Sequence, residues 1–194
     1  AQLTLAADGV KSAFRAQLSP AAARPAFSGQ VAWRAVVEAP KPVAEGGVNV
    51  YMGPRQHIVL YPLRGGTVLN IVAVEDTGTE APEGWTTPVA PAELAARFAQ
   101  FGPPFPVLFE RATAVHRWGL FHHPVPRPWS SGAQVLLGDA AHPMLPFLAQ
   151  GACMAFEDAW SLAAHWARTS DVDAALGGYE ADRAPRVARV MAEA

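Results

Sequence analysis

The sequence predicts an α/β fold with α+β character, in which an antiparallel sheet is combined with a separate strand–loop–helix unit. Two observations carry this prediction. Four segments rich in β-branched and aromatic residues follow one another within residues 30–75, and short connections that contain glycine join the last three. Between Val135 and Trp160, a short apolar strand leads into a loop with Asp139, His142 and two prolines, and then into a helix of small residues.

Composition and charge argue against several classes of protein: nucleic-acid-binding, membrane-spanning and disulfide-rich. The formal net charge of the 194 residues is −2, which gives no electrostatic reason to expect nucleic acid or an anionic membrane as a partner. The longest apolar run is interrupted by Asp139 and His142, so no membrane-spanning helix is predicted. The single cysteine, Cys153, excludes an intrachain disulfide framework and favours a reducing compartment, the cytoplasm.

The first half of the chain is predicted to form the sheet. It opens with a strand over 3–6, a turn at Asp8-Gly9 and a short helix through Arg15, because Asp-Gly is a strong turn signal. The strands of the sheet are then expected over 30–37, 48–53, 57–63 and 67–75. Their short connections indicate an antiparallel meander.

The second half is predicted to be mainly helical. We expect helices over 91–102, 149–167 and from 172 to the end, and strands over 112–121 and 133–139. Proline clusters at 103–106 and 124–128 predict two rigid extended loops. The last helix is expected to break near Gly177-Gly178. In the helix before it, four alanines are expected to allow close approach to a sheet: Ala152, Ala155, Ala159 and Ala163.

The segment 138–152 carries residues that suit a cofactor. Asp139 follows a buried strand, and a carboxylate at the carboxyl end of a strand can accept hydrogen bonds from the hydroxyls of a sugar chain. Gln150, Gly151 and Ala152 open a helix whose first N–H groups lack intrahelical partners and favour an electron-rich ligand. The same residues also fit an Asp-capped strand, a proline-rich turn and a packed helix, with no ligand at all.

These residues resemble a known family. "GDAAHPMLPFLAQGACMAFEDA" is similar to the second flavin-binding motif of the flavin-dependent aromatic-ring monooxygenases of the salicylate and hydroxybenzoate hydroxylase type. "AADGVKSAFR" resembles the Asp-Gly motif of that family, and "FSGQVAWRAVV" and "YPLRGGTVLNIVAVED" resemble its substrate-domain strands. The resemblance covers almost the whole chain and follows the family's order.

The resemblance implies a fold and a division of the chain. The fold is part of a glutathione-reductase-type FAD-binding domain plus an antiparallel substrate-domain sheet. Residues 1–18 and 131–194 are expected to belong to the FAD-binding domain and residues 25–130 to the sheet domain. The family's Gly-x-Gly-x-x-Gly phosphate loop does not occur in these residues. We therefore expect a truncated fragment of a longer enzyme, which alone retains FAD weakly or not at all and is inactive.

The resemblance also implies roles for particular residues. Asp139 would bind the ribityl hydroxyls, and Gly138 would allow the close approach at the end of the strand. The flavin ring would lie at Gln150, Gly151 and Ala152. Near the pyrophosphate would lie Asp8 and Gly9, with Arg15 on the side of the nicotinamide cofactor, and Pro146 would face the substrate ring.

The reaction implied by the resemblance is the hydroxylation of a phenolic, hydroxybenzoate-like substrate. FAD is reduced by NAD(P)H, reacts with O2 to a flavin C4a-hydroperoxide and transfers one oxygen atom to the ring. A homodimer is left open as the oligomeric state. The rival interpretation is a non-catalytic flavoprotein remnant that acts at most as a binding module.

Histidines and sheet residues supply the remaining candidates, each with an alternative. His142 is expected either beside the cofactor or as a brace of its loop, and His57 either as a base for the phenol proton or as an exposed residue at a strand end. Trp33 and Tyr61 would contact the substrate or belong to the core. Arg34 would anchor a carboxylate or lie in solvent.

Two further features are expected to be structural. The histidines at 116, 122 and 123 do not predict a metal site, since neighbouring side chains on a strand point to opposite faces. Arg183, Arg186 and Arg189 are expected to form a helix face with local ion pairs to Glu180 and Asp182. On that basis Arg183→Ala would leave FAD retention unchanged.

Overall fold

The computed structural model describes residues 3–20, 24–39, 47–85 and 87–194. In these residues the strands are β1 (Thr4–Ala6), β2 (Ala26–Glu38), β3 (Asn49–Gly53), β4 (Gln56–Leu63), β5 (Val68–Asp76), β6 (Pro88–Val89), β7 (Val115–His122), β8 (Ser130–Ser131) and β9 (Gln134–Leu136). The α-helices are α1 (Ala13–Leu18), α2 (Pro91–Arg97), α3 (Phe105–Glu110), α4 (Gly151–Trp166) and α5 (Val172–Glu193).

The larger sheet has the strand order β3-β4-β5-β2-β7-β6. The expected meander is correct for β3, β4 and β5, which pair consecutively and antiparallel. It is wrong for β2, which pairs with β5 over Gln30–Glu38 instead of with β3. Hairpin signals predict neighbours along the chain, whereas this pairing joins strands separated by the two that lie between them.

The two faces of this sheet differ because side chains alternate along each strand. One face, with Val31, Ile58 and Ile71 fully buried, forms a core with α2 and α3. Phe98 and Phe105 contribute aromatic rings to that core, and the ring of Phe98 meets Trp33 edge-on at a centroid distance of 6.3 Å. The opposite face carries Arg34, His57 and Tyr61.

The first proline cluster does not form the extended loop that was predicted. Helix α3 begins directly after Pro104 and buries Phe105, Leu108 and Phe109. Proline is tolerated in the first turn of a helix, where its missing N–H has no partner in any case. The apolar spacing of the three buried residues therefore decides the local structure.

The smaller sheet has the order β1-β9-β8, with β1 and β9 parallel. Leu5 lies opposite Val135, so the strand before the Asp-Gly turn runs beside the strand before Gly138. Both turns therefore follow parallel strands at the same edge of this sheet. Val135 and Leu136 are fully buried and pack with Met154 and Tyr179 in a second core.

Helix α5 runs without a break through Gly177-Gly178 and Pro185, which corrects the predicted interruption. A Cβ on Gly178 would lie 2.4 Å from Nδ1 of His165, so this glycine allows α4 and α5 to approach closely. The pair of glycines marks a helix crossing instead of a helix end. Pro185 is also accommodated within the helix.

The alanine face of α4 is also different from the expectation. Ala152, Ala159 and Ala163 are exposed, and the buried residues of the helix are Met154, Asp158 and Leu162. Ala155 alone makes the expected close approach, since its Cβ would lie 3.0 Å from a Cβ on Gly138.

The chain divides into two compact units. One comprises Ala1–Ala26 with Phe121–Ala194, and the other comprises Phe27–Leu120. The first contains the Asp-Gly and Gly-Asp turns, and the second contains the larger sheet. The domain boundaries at 18, 25 and 130 stay predictions. Across the described ranges, no helix is long and apolar enough to cross a membrane.

Candidate functional site

The Asp-Gly turn is held by its own side chains. Oδ2 of Asp8 accepts a hydrogen bond from the N–H of Ala13 at 2.9 Å, and Gly9 has a φ of +81°, which glycine adopts without strain. Burial raises the pKa of the Asp8 carboxyl, but hydrogen bonds from Ser12 and from backbone N–H groups outweigh it and hold the pKa below its ordinary value. Asp8 is therefore an exposed, ionised carboxylate at the start of α1.

Arg15 does not face solvent, as a nicotinamide-binding side chain would. Only 4% of the residue is exposed. Its guanidinium donates to the carbonyl oxygens of Asp139 at 2.9 Å and Ala140 at 3.1 Å, and also to that of Val10. The prediction of a nicotinamide-side role is corrected by this burial, because all these acceptors are backbone. Arg15 ties the Asp-Gly segment to the Gly-Asp turn.

The Gly-Asp turn follows β9 as a short 3-10 helix over Gly138–Ala140. Gly138 has a φ of +56°, and a Cβ there would crowd Ala155 at 3.0 Å. Its carbonyl accepts from the N–H groups of both Ala141 and His142. Glycine is thus required at 138 for its conformation and for the close helix contact.

Asp139 and the N-terminus of α4 lie together. The Asp139 side chain is exposed, and its carboxylate has no hydrogen bond or ion pair in the part of the chain that the structure describes. Oδ1 of Asp139 lies 3.9 Å from the position of a Cβ on Gly151, and Cγ of Met144 lies at the same distance. The absent side chain of Gly151 therefore leaves a cradle between the carboxylate and the first turn of α4. Gln150 caps that helix without a side-chain hydrogen bond, so the side chain of the cap residue leaves the first N–H groups of α4 unbonded.

This cradle fits the sugar chain and ring edge of a flavin. An ionised carboxylate without a protein partner accepts hydrogen bonds from vicinal hydroxyls, and the partial positive charge of a helix N-terminus stabilises an electron-rich ring edge. Ala152, in the first turn, is exposed and small. The residues present thus match the group that the sequence motif predicts.

Pro146 begins a short 3-10 helix over Pro146–Leu148, which ends at Ala149 with a φ of +52°. Pro146 is exposed, as are Phe147 at 36% and Leu148 at 40%. An exposed proline-rich bend directly before α4 is consistent with the substrate-side position predicted for Pro146. That position stays a prediction.

His142 is a brace of the loop and is not exposed to a ligand. The residue is fully buried, and its Nε2 donates to Oδ2 of Asp158 at 2.5 Å. Its ring packs against Trp129 at a centroid distance of 5.3 Å. The cofactor-side alternative is therefore corrected: an imidazole with no exposed surface cannot touch a flavin.

Asp158 is the residue that sequence reasoning missed. It is fully buried in α4 and accepts from Gly138, His142 and Arg183. Burial raises the pKa of Asp158, but the hydrogen bond and charge of His142, followed by the hydrogen bonds from Arg183 and from the N–H of Gly138, hold it below its ordinary value. The signal was present in the sequence, since Asp158 lies four residues from both Met154 and Leu162 on the buried face.

The expected ion pairs with Glu180 and Asp182 are wrong for Arg183. Only 6% of that residue is exposed, and Arg183 pairs with Asp158 at 2.8 Å and with Glu157 at 2.5 Å, not with Glu180 or Asp182. Arg186 reaches the same Glu157 at 2.8 Å. The pKa of Glu157 is lowered to about 2, mainly by the hydrogen bond from Arg186. Arg183 lowers it further, whereas burial has the opposite effect and raises it.

In the other unit, the substrate candidates do not share one face. Strand register places Arg34 in line with Val72 and Val59, so Arg34, His57 and Tyr61 lie on the same side of the sheet. Trp33 lies on the opposite side, 2% exposed, and its Nε1 donates to the buried Glu75 at 3.1 Å. Trp33 as a substrate residue is therefore corrected to a core residue.

A further polar side chain lies beside Arg34. Asn70 is fully buried, and its Oδ1 accepts from Nε of Arg34 at 3.1 Å, whereas its Nδ2 has no hydrogen-bond partner in the described ranges. This orients the guanidinium of an otherwise exposed Arg34.

Burial lowers the pKa of His57, and the charge of Asp76 only partly offsets this. His57 is thus neutral at pH 7. In the described residues, no three His, Cys, Asp or Glu side chains form a group that could hold a metal ion.

Fold and cradle together define a flavin-binding class of protein, and comparison with known sequences agrees. The model of the FAD binding domain family matches residues 1–194. This chain therefore belongs to the FAD binding domain family, as the motifs predicted. Its mixed α/β fold is the one found in the FAD-dependent hydroxylases.

Individual relatives are aromatic monooxygenases. The chain is 39% identical over 195 residues to the 3-amino-4-hydroxybenzoate 2-monooxygenase PtnB3 of Streptomyces platensis, covering 98% of this chain and 48% of the relative. HpxO of Klebsiella pneumoniae, in complex with FAD and uric acid, matches at a TM-score of 0.85 and 29% identity, covering 99% of this chain and 49% of HpxO. A salicylate hydroxylase–substrate complex matches at a TM-score of 0.83 and 26% identity, covering 100% and 53%. This chain thus spans about half the length of the relatives that it matches.

Proposed function

We propose that this chain holds the ribityl chain and ring edge of FAD between Asp139 and the N-terminus of α4. The chain serves an enzyme that hydroxylates a phenolic, hydroxybenzoate-like substrate with NAD(P)H and O2. The observation that carries the proposal is the exposed carboxylate of Asp139, which has no partner among the described residues, beside the side-chain-free Gly151. The flavin supplies the redox chemistry when it is bound, and the protein supplies binding and orientation.

Each residue of the cradle has one task. Asp139 accepts hydrogen bonds from the sugar hydroxyls, and Gly138 gives the turn its shape. The N–H groups of Gly151 and Ala152 stabilise negative charge on the ring edge. Asp8 and Gly9 form the turn after the neighbouring parallel strand, which supports their predicted place near the pyrophosphate. Pro146 is proposed to border the substrate.

The substrate class rests on the larger sheet and on the relatives. PtnB3 is a hydroxybenzoate monooxygenase by name, and a carboxylate matches the planar guanidinium of Arg34, which Asn70 orients. Tyr61 and the neutral His57 lie on the same face as Arg34. A neutral imidazole can accept the phenol proton, and we therefore keep His57 as the proposed base.

Flavin binding is tested on the 194-residue chain by ¹H–¹⁵N NMR during titration with riboflavin and FAD. We expect weak, saturable shifts at the amides of 138–141 and 151–153. Asp139→Asn, which keeps the shape and removes the charge, should weaken binding by about ten-fold, because a hydrogen bond to a charged group is worth about 1.5–3 kcal/mol. Glu193→Gln removes one exposed charge from the same unit and should change nothing. Saturation without shifts at these amides would overturn the site.

The activity is tested in a chimera. The residues of PtnB3 that align with this chain are exchanged for residues 1–194, and NAD(P)H oxidation and product mass are measured with a panel of hydroxybenzoates. We expect FAD retention and a product with one added oxygen atom, both lost in the Asp139→Asn chimera. A folded chimera that retains FAD and hydroxylates no substrate would favour the binding-module interpretation.

The proposal also includes the cellular location and the oligomeric state of the protein. A cytoplasmic location is supported by the single, exposed cysteine, Cys153. The homodimer stays a prediction, which sedimentation of the purified chain tests directly.

A further inference from the structure

The carboxylate of Asp158 fixes the Gly-Asp turn through two hydrogen bonds. Oδ2 of Asp158 accepts from the N–H of Gly138 at 2.9 Å and from Nε2 of His142 at 2.5 Å. These two donors lie on either side of Asp139 in the chain. The segment that carries Asp139 therefore enters and leaves its turn through residues fixed to the same oxygen atom.

The carboxylate that accepts these bonds is itself fixed. Oδ1 of Asp158 accepts from Nε of Arg183 at 2.8 Å, and the same guanidinium donates to Glu157 and to the carbonyl of Met154. Asp158 and His142 are both fully buried. A buried carboxylate with three donors is stable and rigid, whereas one that loses a donor keeps an unsatisfied charge.

Arg15 supplies a second, independent attachment. Its guanidinium donates to the carbonyls of Asp139 and Ala140, so the backbone at Asp139 is fixed through both its neighbours and its own carbonyl. The side chain of Asp139 alone remains exposed and without a partner in the described ranges. The side chains that fix the turn, Asp158, His142 and Arg15, are buried, whereas the carboxylate of Asp139 lies at the cradle.

We propose that His142 is a positioning residue, which acts through Asp158 to hold the Gly138–Asp139 turn in the conformation that presents the Asp139 carboxylate to the flavin. This rests on the proposed function of the cradle. His142 does not touch the ligand. Groups that orient a ligand-binding side chain from behind affect affinity nearly as strongly as the binding groups themselves.

The test compares two replacements of His142 in the 194-residue chain. His142→Gln can place an amide Nε2 where the imidazole Nε2 lies, whereas the shorter His142→Asn cannot reach Asp158. Amide hydrogen exchange is measured at Gly138 and, as an internal reference, at Leu136, whose N–H donates to Trp129 in the same unit. Riboflavin affinity is measured by NMR on the same samples.

We expect His142→Asn to raise the Gly138 exchange rate relative to Leu136, and to weaken riboflavin binding, each by about ten-fold. His142→Gln should restore both to near the wild-type values. The control is Val187→Ala, which shortens a buried side chain of the same core and lowers its stability. It should accelerate exchange at both amides equally and leave riboflavin affinity unchanged.

The outcomes separate this proposal from the one on which it rests. Riboflavin binding that is the same in wild type and His142→Asn overturns the positioning role and leaves the cradle intact. A wild-type chain without riboflavin binding, together with a folded PtnB3 chimera that retains no FAD, overturns the cradle. The exchange ratio then still decides whether His142 holds the turn: an equal rise at both amides rejects it.

Discussion

Oδ1 of Asp139 lies 3.9 Å from the place that a Cβ of Gly151 would occupy, so the two residues face each other across the cradle. This distance is ordinary van der Waals contact, and an alanine at 151 would therefore fit without displacing Asp139. The added methyl group would instead fill the space proposed for the flavin.

Gly151→Ala is predicted to move stability and flavin affinity in opposite directions. Alanine in a helix is more favourable than glycine by about 0.5–1 kcal/mol, so the free energy of unfolding should rise or stay unchanged. Riboflavin affinity should fall by about ten-fold, which corresponds to about 1.4 kcal/mol. Urea unfolding and NMR titration measure the two effects. An unchanged affinity would place the flavin elsewhere.

Arg183→Ala is predicted to destabilise the chain strongly. The substitution leaves the buried Asp158 without its arginine partner, and breaking such a pair costs about 3–5 kcal/mol. Arg189 lies on the same helix, is exposed, and has no ion pair in the described residues. Arg189→Ala should therefore change the unfolding free energy by less than about 0.5 kcal/mol. Equal urea midpoints for the two variants would show that the Asp158–Arg183 pair contributes nothing.

The sequence was sufficient to predict the parts of the site that depend on local chemistry. Asp139 and Gly151 are residue types suited to a turn and a helix start, and they lie in a turn and at a helix start in the structure. Asp158 was missed although its spacing from Met154 and Leu162 indicates the buried face of α4. The partners of Arg183 were predicted wrongly because its burial depends on how α4 crosses α5. Nothing local to Arg183 distinguishes it from Arg189, and the spacing of three residues fits a solvated helix face equally well.

The same limit applies to the fold. Strands β3, β4 and β5 were predicted with their neighbours because short connections determine hairpin pairing. The partner of β2 depends on a contact over about forty positions, which no local pattern encodes. At Trp33 the alternation of faces was visible in the sequence, but which face forms the core is decided by α2 and α3.

Low pH is predicted to decrease the free energy of unfolding because Glu157 and Asp158 become protonated. Both pKa values are lower in the folded state than in the unfolded state, so in acid the folded state binds fewer protons than the unfolded state. The stabilisation from Glu157 is complete above its ordinary pKa of 4.5 and is lost as the pH falls to about 2. We expect the urea midpoint to decrease over this interval. Glu157→Gln should reduce the slope, and an unchanged slope would contradict the ion-pair assignment.

Replacement by alanine is predicted to change the stability in opposite directions at the adjacent Gly177 and Gly178 of α5. A methyl group added at Gly177 would meet no atom within 4 Å, so Gly177→Ala should stabilise the helix by about 0.5–1 kcal/mol. A methyl group on Gly178 would lie 2.4 Å from Nδ1 of His165, whose Nε2 is hydrogen-bonded to Asp182 at 2.6 Å. The ring would have to move and give up that bond. Gly178→Ala should therefore destabilise by about 1–3 kcal/mol in spite of its better helix propensity. Thermal and urea unfolding of the two variants check the signs, and stabilisation by both would mean that α4 and α5 do not cross closely at Gly178.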